Sequence, residues 1–507
     1  MKSIFKAVAT VTIFSIITRA LGFLFRIFLS RKLGAEGLGL YQMAISVLGI
    51  FVTLVSSGIP LTTAKQVSKY EVNNQLKTRN QVVGSSLIIA MVVAVICSGL
   101  ILVLKSVWGI ILTDNRAVEL MIILIPSIAF SAIYSVFRGA LWGENNYFSC
   151  GLTELLEQII RFALTFVMLF NITDYFVAAK WTAIAFNLTC LASALITIFI
   201  YFKHGKISFR KGVYKSIIKS ASPITGVRLA NSLVQPLTSI LIPTMLVFAG
   251  YTKSEAVASF GVIMGMTFPM LFVPMSVIGS ISMVLIPSIS AMASRKEYDS
   301  INKNVSSALD VSLFISMIFI PVYLSIGDLI GIVLYNNIMS GVLLQLAAVC
   351  VLPITLCNLT GSILNALNLE IKSFVNYIIG SVVLFASIII FTPLIGINSV
   401  VVSFFLSMGS ISLLNLMRIK KHIKHLQFNL VSCIAKYCLI IIPVSLLCHF
   451  ISNILGLVLN AFFTACITGC ICVGCTLLLC QMFKVYNVKN IFTIIKNKNH
   501  TKQQNKV

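Results

Sequence analysis

Five arginines stand inside long apolar segments of this 507-residue sequence, where a charged side chain is costly. They are Arg19, Arg26, Arg138, Arg161 and Arg228. An arginine at the middle of a membrane span costs about 2.5–3.5 kcal/mol, so such residues usually face a protein interior or a watery cavity. Guanidinium groups bind phosphate through bidentate, charge-assisted hydrogen bonds. The five arginines therefore predict a cavity that binds an anionic substrate.

Few acidic residues accompany these arginines. Glu157 lies four residues before Arg161, a spacing that places both side chains on one helix face and allows an ion pair. Glu157 is therefore a sixth candidate substrate-binding residue, as the partner that tunes Arg161. Two alternatives stay open. Arg26 can extend from a helix end to the lipid headgroups, and the other arginines can pair with carboxylates or backbone carbonyls and serve only to hold helices together.

Sequence patterns of enzymes are not found. The chain has no HExxH, no G-x-S-x-G, no phosphate-binding P-loop and no glycine-rich dinucleotide fingerprint. Cys472 and Cys475 have a spacing seen in metal and redox sites, but no histidine or second such pair stands near them. We interpret them as small apolar residues of a buried helix. We therefore expect no enzyme, metal or cofactor, and leave a coupling ion open.

The composition identifies the class of protein. Hydrophobic residues make up 58% of the chain and charged residues only 10%, whereas a soluble protein has about 25% charged residues. A membrane-spanning helix needs about 20 apolar residues. The sequence thus predicts an all-α polytopic membrane protein with about fourteen transmembrane helices, a count of twelve or thirteen being also compatible. The predicted spans are 7–30, 38–66, 82–106, 118–143, 151–172, 176–202, 220–249, 256–292, 306–328, 340–366, 373–392, 395–418, 430–452 and 456–483.

The formal net charge of +24 is explained by topology. Of the 38 Lys and Arg residues, 27 lie in loops on the side of the N-terminus and six on the other side. This distribution follows the positive-inside rule. It predicts a multi-pass protein of the cell membrane with both termini in the cytoplasm. Because the basic residues accompany no nucleic-acid-binding module, we expect no nucleic acid partner.

Two weak internal matches predict a repeat. GIPLTTAK at 58–65 resembles LIPSISAM at 285–292, and GALWGENN at 139–146 resembles GSILNALN at 361–368. The two matches have nearly the same offset along the chain. We therefore expect two six-helix lobes around a central cavity, as in transporters with internal repeats. The predicted divisions are an N-terminal lobe at 1–203, a basic linker at 204–219, a C-terminal lobe at 220–425, two additional helices at 426–484 and a basic tail at 485–507.

Proline is concentrated in predicted spans 7 and 8. Proline removes a backbone hydrogen bond and bends a helix, and broken helices occur in membranes where neighbours or a cavity satisfy the freed groups. We expect these two spans to bend as a gate, although static kinks would give the same pattern. The candidate gating residues are Pro60, Pro236, Pro243, Pro269, Pro274 and Pro287.

Four segments resemble a known family. They are ITRALGFLFRIFLSRKLGAEGLGLYQM, SSGIPLTTAKQVSKY, FRGALWGENNYFSCGLTELLEQIIRF and SPITGVRLANSLVQPLTSILIP. Together they resemble the stage V sporulation protein B branch of the multidrug/oligosaccharidyl-lipid/polysaccharide (MOP) flippases. The resemblance covers nearly the whole chain. It implies two six-helix lobes, extra C-terminal helices, and alternating access for a polyprenyl-pyrophosphate-linked sugar, as in the related lipid II flippases.

The motif of the related lipid II flippases matches Arg19 of the first predicted span but not Arg26. Lipid II flippases carry S-R-x-L-G-x-x-R in the first span, and the segment from Thr18 to Gly22 matches its opening, with Arg19 in place. The second arginine comes one position later here, because Phe25 stands where that family has arginine. One position rotates a side chain by about 100° around a helix. Arg26 is therefore not carried over as the equivalent residue.

The sequence and the resemblance lead to a flippase that moves an anionic lipid-linked oligosaccharide. We expect a peptidoglycan precursor for the spore cortex, with membrane lipid and cell-wall or spore-cortex synthesis enzymes as partners. One alternative is a cation-coupled multidrug antiporter on the same fold. The lack of acidic residues in predicted spans 1 and 7 argues against it. Another alternative is a non-transporting membrane scaffold for cell-wall synthesis.

Overall fold

Every regular element that the structure describes is a helix. The structure is a computed structural model, and it describes residues 2–483 except 204, 210–212, 296, 424–427 and 429. The predicted basic tail at 485–507 lies outside the described residues, as do residues 204 and 210–212 of the predicted linker. Apolar segments in a membrane must satisfy their backbone groups internally, which a helix does. The predicted all-α polytopic fold is confirmed.

The chain divides into two compact units, residues 1–265 and 266–507. The helices of the first unit are α1 Lys2–Ser56, α2 Gly58–Val72, α3 Leu76–Val103, α4 Lys105–Ile111, α5 Asn115–Leu124, α6 Pro126–Gly143, α7 Tyr147–Met168, α8 Tyr175–Phe202, α9 Tyr214–Ser232, α10 Val234–Phe248 and α11 Lys253–Gly261. A π-helical segment, Val262–Thr267, contains the point of division. The lobe boundaries at 203 and 220 stay predictions.

The described helices of the second unit follow the same pattern of long, apolar segments. They are α12 Phe268–Leu271, α13 Val273–Ser294, α14 Tyr298–Tyr335, α15 Ile338–Ala347, α16 Val351–Ala366, α17 Glu370–Ile395, α18 Asn398–His422, α19 Leu430–Gly456 and α20 Ala461–Met482. Their core is mostly aliphatic, and a chain of polar side chains joins α16, α17 and α18. In that chain Asn376 Nδ2 donates to Asn415 Oδ1 at 2.8 Å, and Arg418 Nε donates to Asn376 Oδ1 at 2.9 Å.

Helix positions recur along the chain. The helices that begin at Asn115, Tyr147 and Tyr175 have counterparts that begin at Ile338, Glu370 and Asn398, all at one constant offset. The breaks recur as well, since α5 and α6 join just before Pro126 and α15 and α16 join through a short 3₁₀ turn, Ala348–Cys350. The repeated order of elements agrees in spacing with the sequence matches from which a repeat was predicted.

Twelve described helical segments are long and apolar enough to cross a membrane, or thirteen when the bent pair α5 and α6 counts as one span. The predicted number of fourteen is therefore not confirmed. The segment Thr12–Val72 runs through predicted spans 1 and 2, and predicted span 8 is divided between Lys253–Leu271 and Val273–Ser294. Helix α7 is not among the candidates, because its Glu154, Glu157 and Arg161 make it too polar by composition alone.

The glycine-rich sequence at residues 34–39 favours a turn, and the structure has a single bend there. Only Gly34 leaves helical geometry, with φ 61° and ψ −172°, a conformation open essentially to glycine. Gly37 and Gly39 are helical and serve packing instead. A Cβ atom on Gly39 would lie 2.1 Å from the carbonyl oxygen of Val257, and one on Gly261 would lie 2.0 Å from that of Ala35. The backbones of α1 and α11 therefore touch, as small residues allow in membrane helices.

A polar cluster joins three helices of the first unit near this contact. Arg116 Nη2 lies 2.6 Å from Glu36 Oε1 and 2.7 Å from Asp114 Oδ2, and Ser254 Oγ donates to Glu36 Oε1 at 2.6 Å. Asp114 also caps α5 by accepting from the Arg116 backbone N–H at 2.8 Å. Burial of Asp114 opposes its ionisation, but the hydrogen bonds from Arg116 outweigh that effect, so the pKa of the Asp114 carboxyl lies below its usual value.

Substitutions of Asp114 distinguish its role as the N-cap of α5 from its role in the ion pair with Arg116. Asparagine is also a good N-cap, so Asp114→Asn is expected to lose only the ion pair, whereas Asp114→Ala loses the cap too, a further ~1 kcal/mol of unfolding free energy. The measurement is thermal unfolding in detergent. Because the folded pKa is lowered, the charge contributes fully above about pH 4 and is lost as the pH falls through the folded value. Equal stability of the two variants at pH 7 would contradict the assignment of the cap.

Candidate functional site

A cavity of about 590 Å³ lies among six helices of the first unit. Its walls come from α1, α2, α6, α7, α8 and α9. The described lining residues include four of the six predicted substrate-binding residues and one predicted gating residue. These are Arg138, Glu157, Arg161, Arg228 and Pro60. The structure therefore brings most of the intramembrane charges of the first unit to one place.

Helix α7 positions two of the charged groups. It begins at Tyr147, where Asn146 Oδ1 accepts from the Ser149 backbone N–H at 3.2 Å and so satisfies one free donor of the first turn. The four-residue spacing of Glu157 and Arg161 places them on one face, and the predicted ion pair is present between Glu157 Oε1 and Arg161 Nη2. The Arg161 guanidinium also lies over the Phe186 ring at 5.2 Å, an attractive cation–π geometry.

Arg138 on α6 is held in the same way. Its Nη2 lies 2.5 Å from Glu154 Oε2 of α7, and its guanidinium lies 5.9 Å from the centre of the Tyr134 ring, one turn earlier on α6. Each of the two arginines thus has a carboxylate on one side and an aromatic ring nearby. Such contacts fix a long side chain in one orientation and reduce the entropy lost when it binds a ligand.

Four polar atoms of the lining residues are buried and have no hydrogen-bond partner among the described residues. They are Arg138 Nε, Arg161 Nε, Tyr134 Oη and Ser57 Oγ. A buried donor without an acceptor costs about 1–3 kcal/mol, so native structures usually satisfy it with protein, water or ligand. The two Nε groups can each donate to an oxygen of a bound anion, and the Ser57 hydroxyl can donate or accept.

Arg228 of α9 completes the charge of the lining. It makes no ion pair within the part of the chain that the structure describes, and its side chain is exposed. The charged residues of the described lining are three arginines and one glutamate. The cavity is therefore cationic even with its internal ion pairs formed, as a site for an anion requires.

Arg19 and Arg26 lie elsewhere. Both are exposed residues of α1, and neither belongs to the lining of this cavity. Their assignment to the substrate site stays a prediction. The resemblance to lipid II flippases favoured Arg19, whereas the cavity contains the arginines that the resemblance left unassigned.

The predicted gating prolines occupy helix breaks, helix interiors and one cavity wall. Pro236 follows the break between α9 and α10, and Pro274 follows the break between α12 and α13. Pro274 cannot donate to the carbonyl of Met270, and the Tyr323 hydroxyl donates to that carbonyl at 2.7 Å instead. Pro269 is the second residue of α12, while Pro243 and Pro287 lie inside α10 and α13. Their role in gating stays a prediction.

Sequence reasoning did not select two uncharged residues of the lining. Ser57 stands at the junction of α1 and α2, and Trp142 lies four residues after Arg138 on α6. Trp142 belongs to the GALWGENN segment, which supports the predicted repeat and the family resemblance. The signal available in the sequence was a tryptophan, one of three in the chain, on the same helix as Arg138.

The second half of the repeat has no counterpart to these charges. At the offset that relates the repeated helices, the positions equivalent to Arg138, Glu157 and Arg161 hold Gly361, Gly380 and Leu384. The helices that carry these positions nevertheless begin at matching places. The charged groups Arg138, Glu157 and Arg161 of the cavity therefore belong to the first unit and are not repeated at the equivalent positions of the second half.

Comparison with known proteins gives consistent matches. The sequence model of a family described as "Polysaccharide biosynthesis protein" matches residues 4–293. Stage V sporulation protein B of Bacillus subtilis (strain 168) is 26% identical over 422 residues, covering 80% of this chain and 81% of that protein. Lipid II flippase MurJ of the same organism is 21% identical over 409 residues, covering 73% of this chain and 74% of the flippase.

Solved structures share the fold. A structure of lipid II flippase MurJ in an inward closed conformation aligns with a TM-score of 0.70 at 15% identity, covering 94% of this chain and 99% of the other. An inward-facing multidrug resistance MATE family transporter of the MOP superfamily aligns with a TM-score of 0.69 at 16% identity, covering 83% and 99%. At these identities the structural likeness shows the fold alone.

Proposed function

The chain belongs to the polysaccharide biosynthesis protein family, and we propose that it moves an anionic lipid-linked oligosaccharide of the polyprenyl-pyrophosphate type across the cell membrane. Its relatives and structural neighbours support a transporter of the MOP superfamily, similar to lipid II flippases. We propose a peptidoglycan precursor for the spore cortex as the substrate. The relatives' names, a stage V sporulation protein and a lipid II flippase, support that choice.

One observation carries the proposal. Two oriented guanidinium groups, Arg138 and Arg161, border one cavity and keep a buried Nε–H without an acceptor among the described residues. A pyrophosphate offers many acceptor oxygens, and hydrogen bonds between charged partners are about twice as strong as neutral ones. Arg228 adds a third positive charge to the lining. This donor set fits a phosphate-bearing headgroup better than a neutral sugar alone.

The two carboxylates give the site a way to release its ligand. Glu154 and Glu157 are the counter-ions of Arg138 and Arg161. An entering pyrophosphate competes with them for the guanidinium groups, and they return when it leaves. Release therefore exposes no bare buried charge, which would cost several kcal/mol. The carboxylates lower the affinity of the anion and so permit turnover.

The membrane potential favours the proposed direction of transport. With both termini in the cytoplasm and an inward-negative potential, outward movement of each negative charge gains about 2.3 kcal/mol per 100 mV. A coupling ion is not required for this energy. A cationic drug is disfavoured because three arginines border the cavity against one glutamate. Cation-driven efflux abolished by Glu157→Gln would support an antiporter instead.

Depletion of the protein tests the proposal. We expect the lipid-linked saccharide to accumulate in the inner leaflet, protected from a membrane-impermeant degrading enzyme added outside. Arg228→Ala should rescue poorly, with about tenfold slower transport, because the loss of one charge-assisted hydrogen bond costs about 1.5–3 kcal/mol. Arg228→Lys, which keeps the charge, should rescue better.

A matched control comes from a cation outside the cavity. The side chain of Arg295 is 75% exposed, and the residue follows the end of α13. Arg295→Ala should rescue as well as the unchanged protein. A normal distribution of the saccharide between leaflets after depletion would contradict the flippase function. Full rescue by Arg228→Ala would remove Arg228 from the site.

A further inference from the structure

We infer that Trp142 forms a saccharide subsite of the cavity, where the sugar ring bonded to the pyrophosphate packs against the indole. The inference rests on the proposed function and names the part of the substrate that the arginines leave unrecognised. Trp142 borders the same cavity as Arg138 and Arg161, and its side chain is 40% exposed. Nothing in the charge of the site requires a tryptophan there.

The positions of Arg138 and Trp142 match the layout of a glycosyl pyrophosphate. They lie four residues apart on α6, so both point to one side of the helix and are separated by about 6 Å along its axis. In a glycosyl pyrophosphate the sugar ring begins one oxygen atom away from the phosphorus. A phosphate held by Arg138 would therefore place its first sugar about one helical turn away, at the level of Trp142.

The surroundings of Trp142 fix the indole in place. Its ring packs edge-to-face against Tyr147, with centres 5.3 Å apart and planes at 83°. The Tyr147 hydroxyl donates to Asn145 Oδ1 at 2.8 Å, and Asn145 holds a left-handed turn with φ 59° between α6 and α7. An aromatic surface that is already rigid loses little entropy when it binds. The exposed part of the indole is thus a rigid surface against which a sugar ring can pack.

An indole face suits a pyranose ring. The π-system is negative at its face, and the axial C–H groups of a pyranose carry partial positive charge, so the two surfaces attract while apolar area is buried. A drug cation would also be attracted to an indole, but the three arginines of the lining repel it. The combination of arginine and tryptophan therefore selects a ligand with an anionic part and a sugar part.

The cavity also offers hydroxyl groups for a sugar. Ser57 is 5% exposed, and its Oγ has no partner among the described residues. Helix α2, which follows Ser57, packs closely on α6, because a Cβ atom on Gly139 would lie 2.5 Å from the Pro60 carbonyl oxygen. Further lining serines border the same space: Ser56, Ser131, Ser135 and Ser193. A polyhydroxylated ligand can thus exchange hydrogen bonds with the walls.

Two probe lipids test the subsite with the full-length protein in detergent. One is a short-chain polyprenyl pyrophosphate, and the other is the same lipid carrying one N-acetylhexosamine. In Trp142→Ala we expect the Kd of the sugar-bearing lipid to rise about tenfold, while the Kd of the sugar-free lipid stays within about twofold of its original value. Trp142→Phe, which keeps a smaller ring, should fall between.

A single-tryptophan variant, with Trp108→Phe and Trp181→Phe, reports directly on the indole. Its fluorescence should change on addition of the sugar-bearing lipid and much less with the sugar-free lipid. Trp181→Ala is the matched control, since Trp181 is 41% exposed but outside the cavity lining. Equal weakening of both lipids by Trp142→Ala would overturn the subsite and leave the anion site intact. Failure of the unchanged protein to bind either lipid would refute the proposed function and the subsite with it.

Discussion

Replacing Arg161 with alanine is expected to slow transport of the lipid-linked saccharide by about 10- to 100-fold, because charge-assisted hydrogen bonds to the pyrophosphate are lost. The same change at Arg138 should act similarly, and the double variant should be inactive. Both guanidinium groups border the cavity and keep a buried Nε–H that no described residue accepts. The measurement is transport of a labelled polyprenyl-pyrophosphate sugar in proteoliposomes containing the purified protein.

Loss of transport through destabilisation of the protein can be distinguished from loss of transport through weaker substrate binding. Arg161→Ala leaves the half-buried Glu157 without its partner, and an unpaired buried charge destabilises a protein by about 3–5 kcal/mol. The double variant Glu157→Gln, Arg161→Ala removes that charge. If the arginine only neutralises Glu157, the double variant should recover transport. We expect this Glu157/Arg161 double variant to recover stability while its transport stays as slow as that of Arg161→Ala.

Glu157→Gln alone should strengthen binding of the pyrophosphate lipid, whereas Arg161→Ala should weaken it. Without its counter-ion, Arg161 is available to the anion at all times, so the Kd of the pyrophosphate lipid should fall several-fold. Transport should also slow, because no carboxylate returns to displace the ligand. Weaker binding in Glu157→Gln would show that the ion pair positions Arg161 and would contradict competition between carboxylate and substrate.

The cost of placing charge in a membrane made much of the site predictable from the sequence. Arg138, Glu157 and Arg161 have to face a protected interior, and their spacing on neighbouring helices brings them to one cavity. Arg19 and Arg26 obey the same rule in sequence, yet both are exposed. Apolar residues occur on every side of helix α1, so their pattern does not indicate which face meets other helices.

Uncharged residues of the site gave no comparable signal. Ser57 and Trp142 cost little to place in an apolar helix, so composition does not distinguish a lining residue from a lipid-facing one. The order of helices was predictable from apolar length, whereas the predicted number of fourteen spans is not confirmed. Charges in α7 make it resemble a soluble helix, and the bend at Gly34 leaves two predicted spans in one continuous segment.

The structural role of a glycine is also hard to predict from the sequence, because a glycine can indicate either a turn or a close approach between two helix backbones. The segment with Gly34, Gly37 and Gly39 predicts a turn, but only Gly34 bends the chain. Gly39 has to be a glycine because α11, a helix far along the chain, packs against it. The Val257 carbonyl of α11 fills the space that a Cβ atom on Gly39 would need. A contact between segments so distant in sequence leaves no local pattern.

Gly39→Ala is therefore expected to lower the unfolding free energy by about 1–3 kcal/mol or more. The added Cβ would meet the Val257 carbonyl oxygen at 2.1 Å, so α1 and α11 would have to separate by about 1 Å or more. Gly261→Ala meets the Ala35 carbonyl oxygen at 2.0 Å and should cost a similar amount. Thermal unfolding of the detergent-solubilised protein is the measurement.

Helix α1 provides its own control for this prediction. Gly49 lies on the same helix, and a Cβ there would meet nothing within 4 Å. Because alanine favours a helix over glycine by up to about 1 kcal/mol, Gly49→Ala should keep or raise the Tm while Gly39→Ala lowers it. Opposite signs from one substitution on one helix can come only from what surrounds each position. Equal Tm values for the two variants would mean that the backbones of α1 and α11 do not touch.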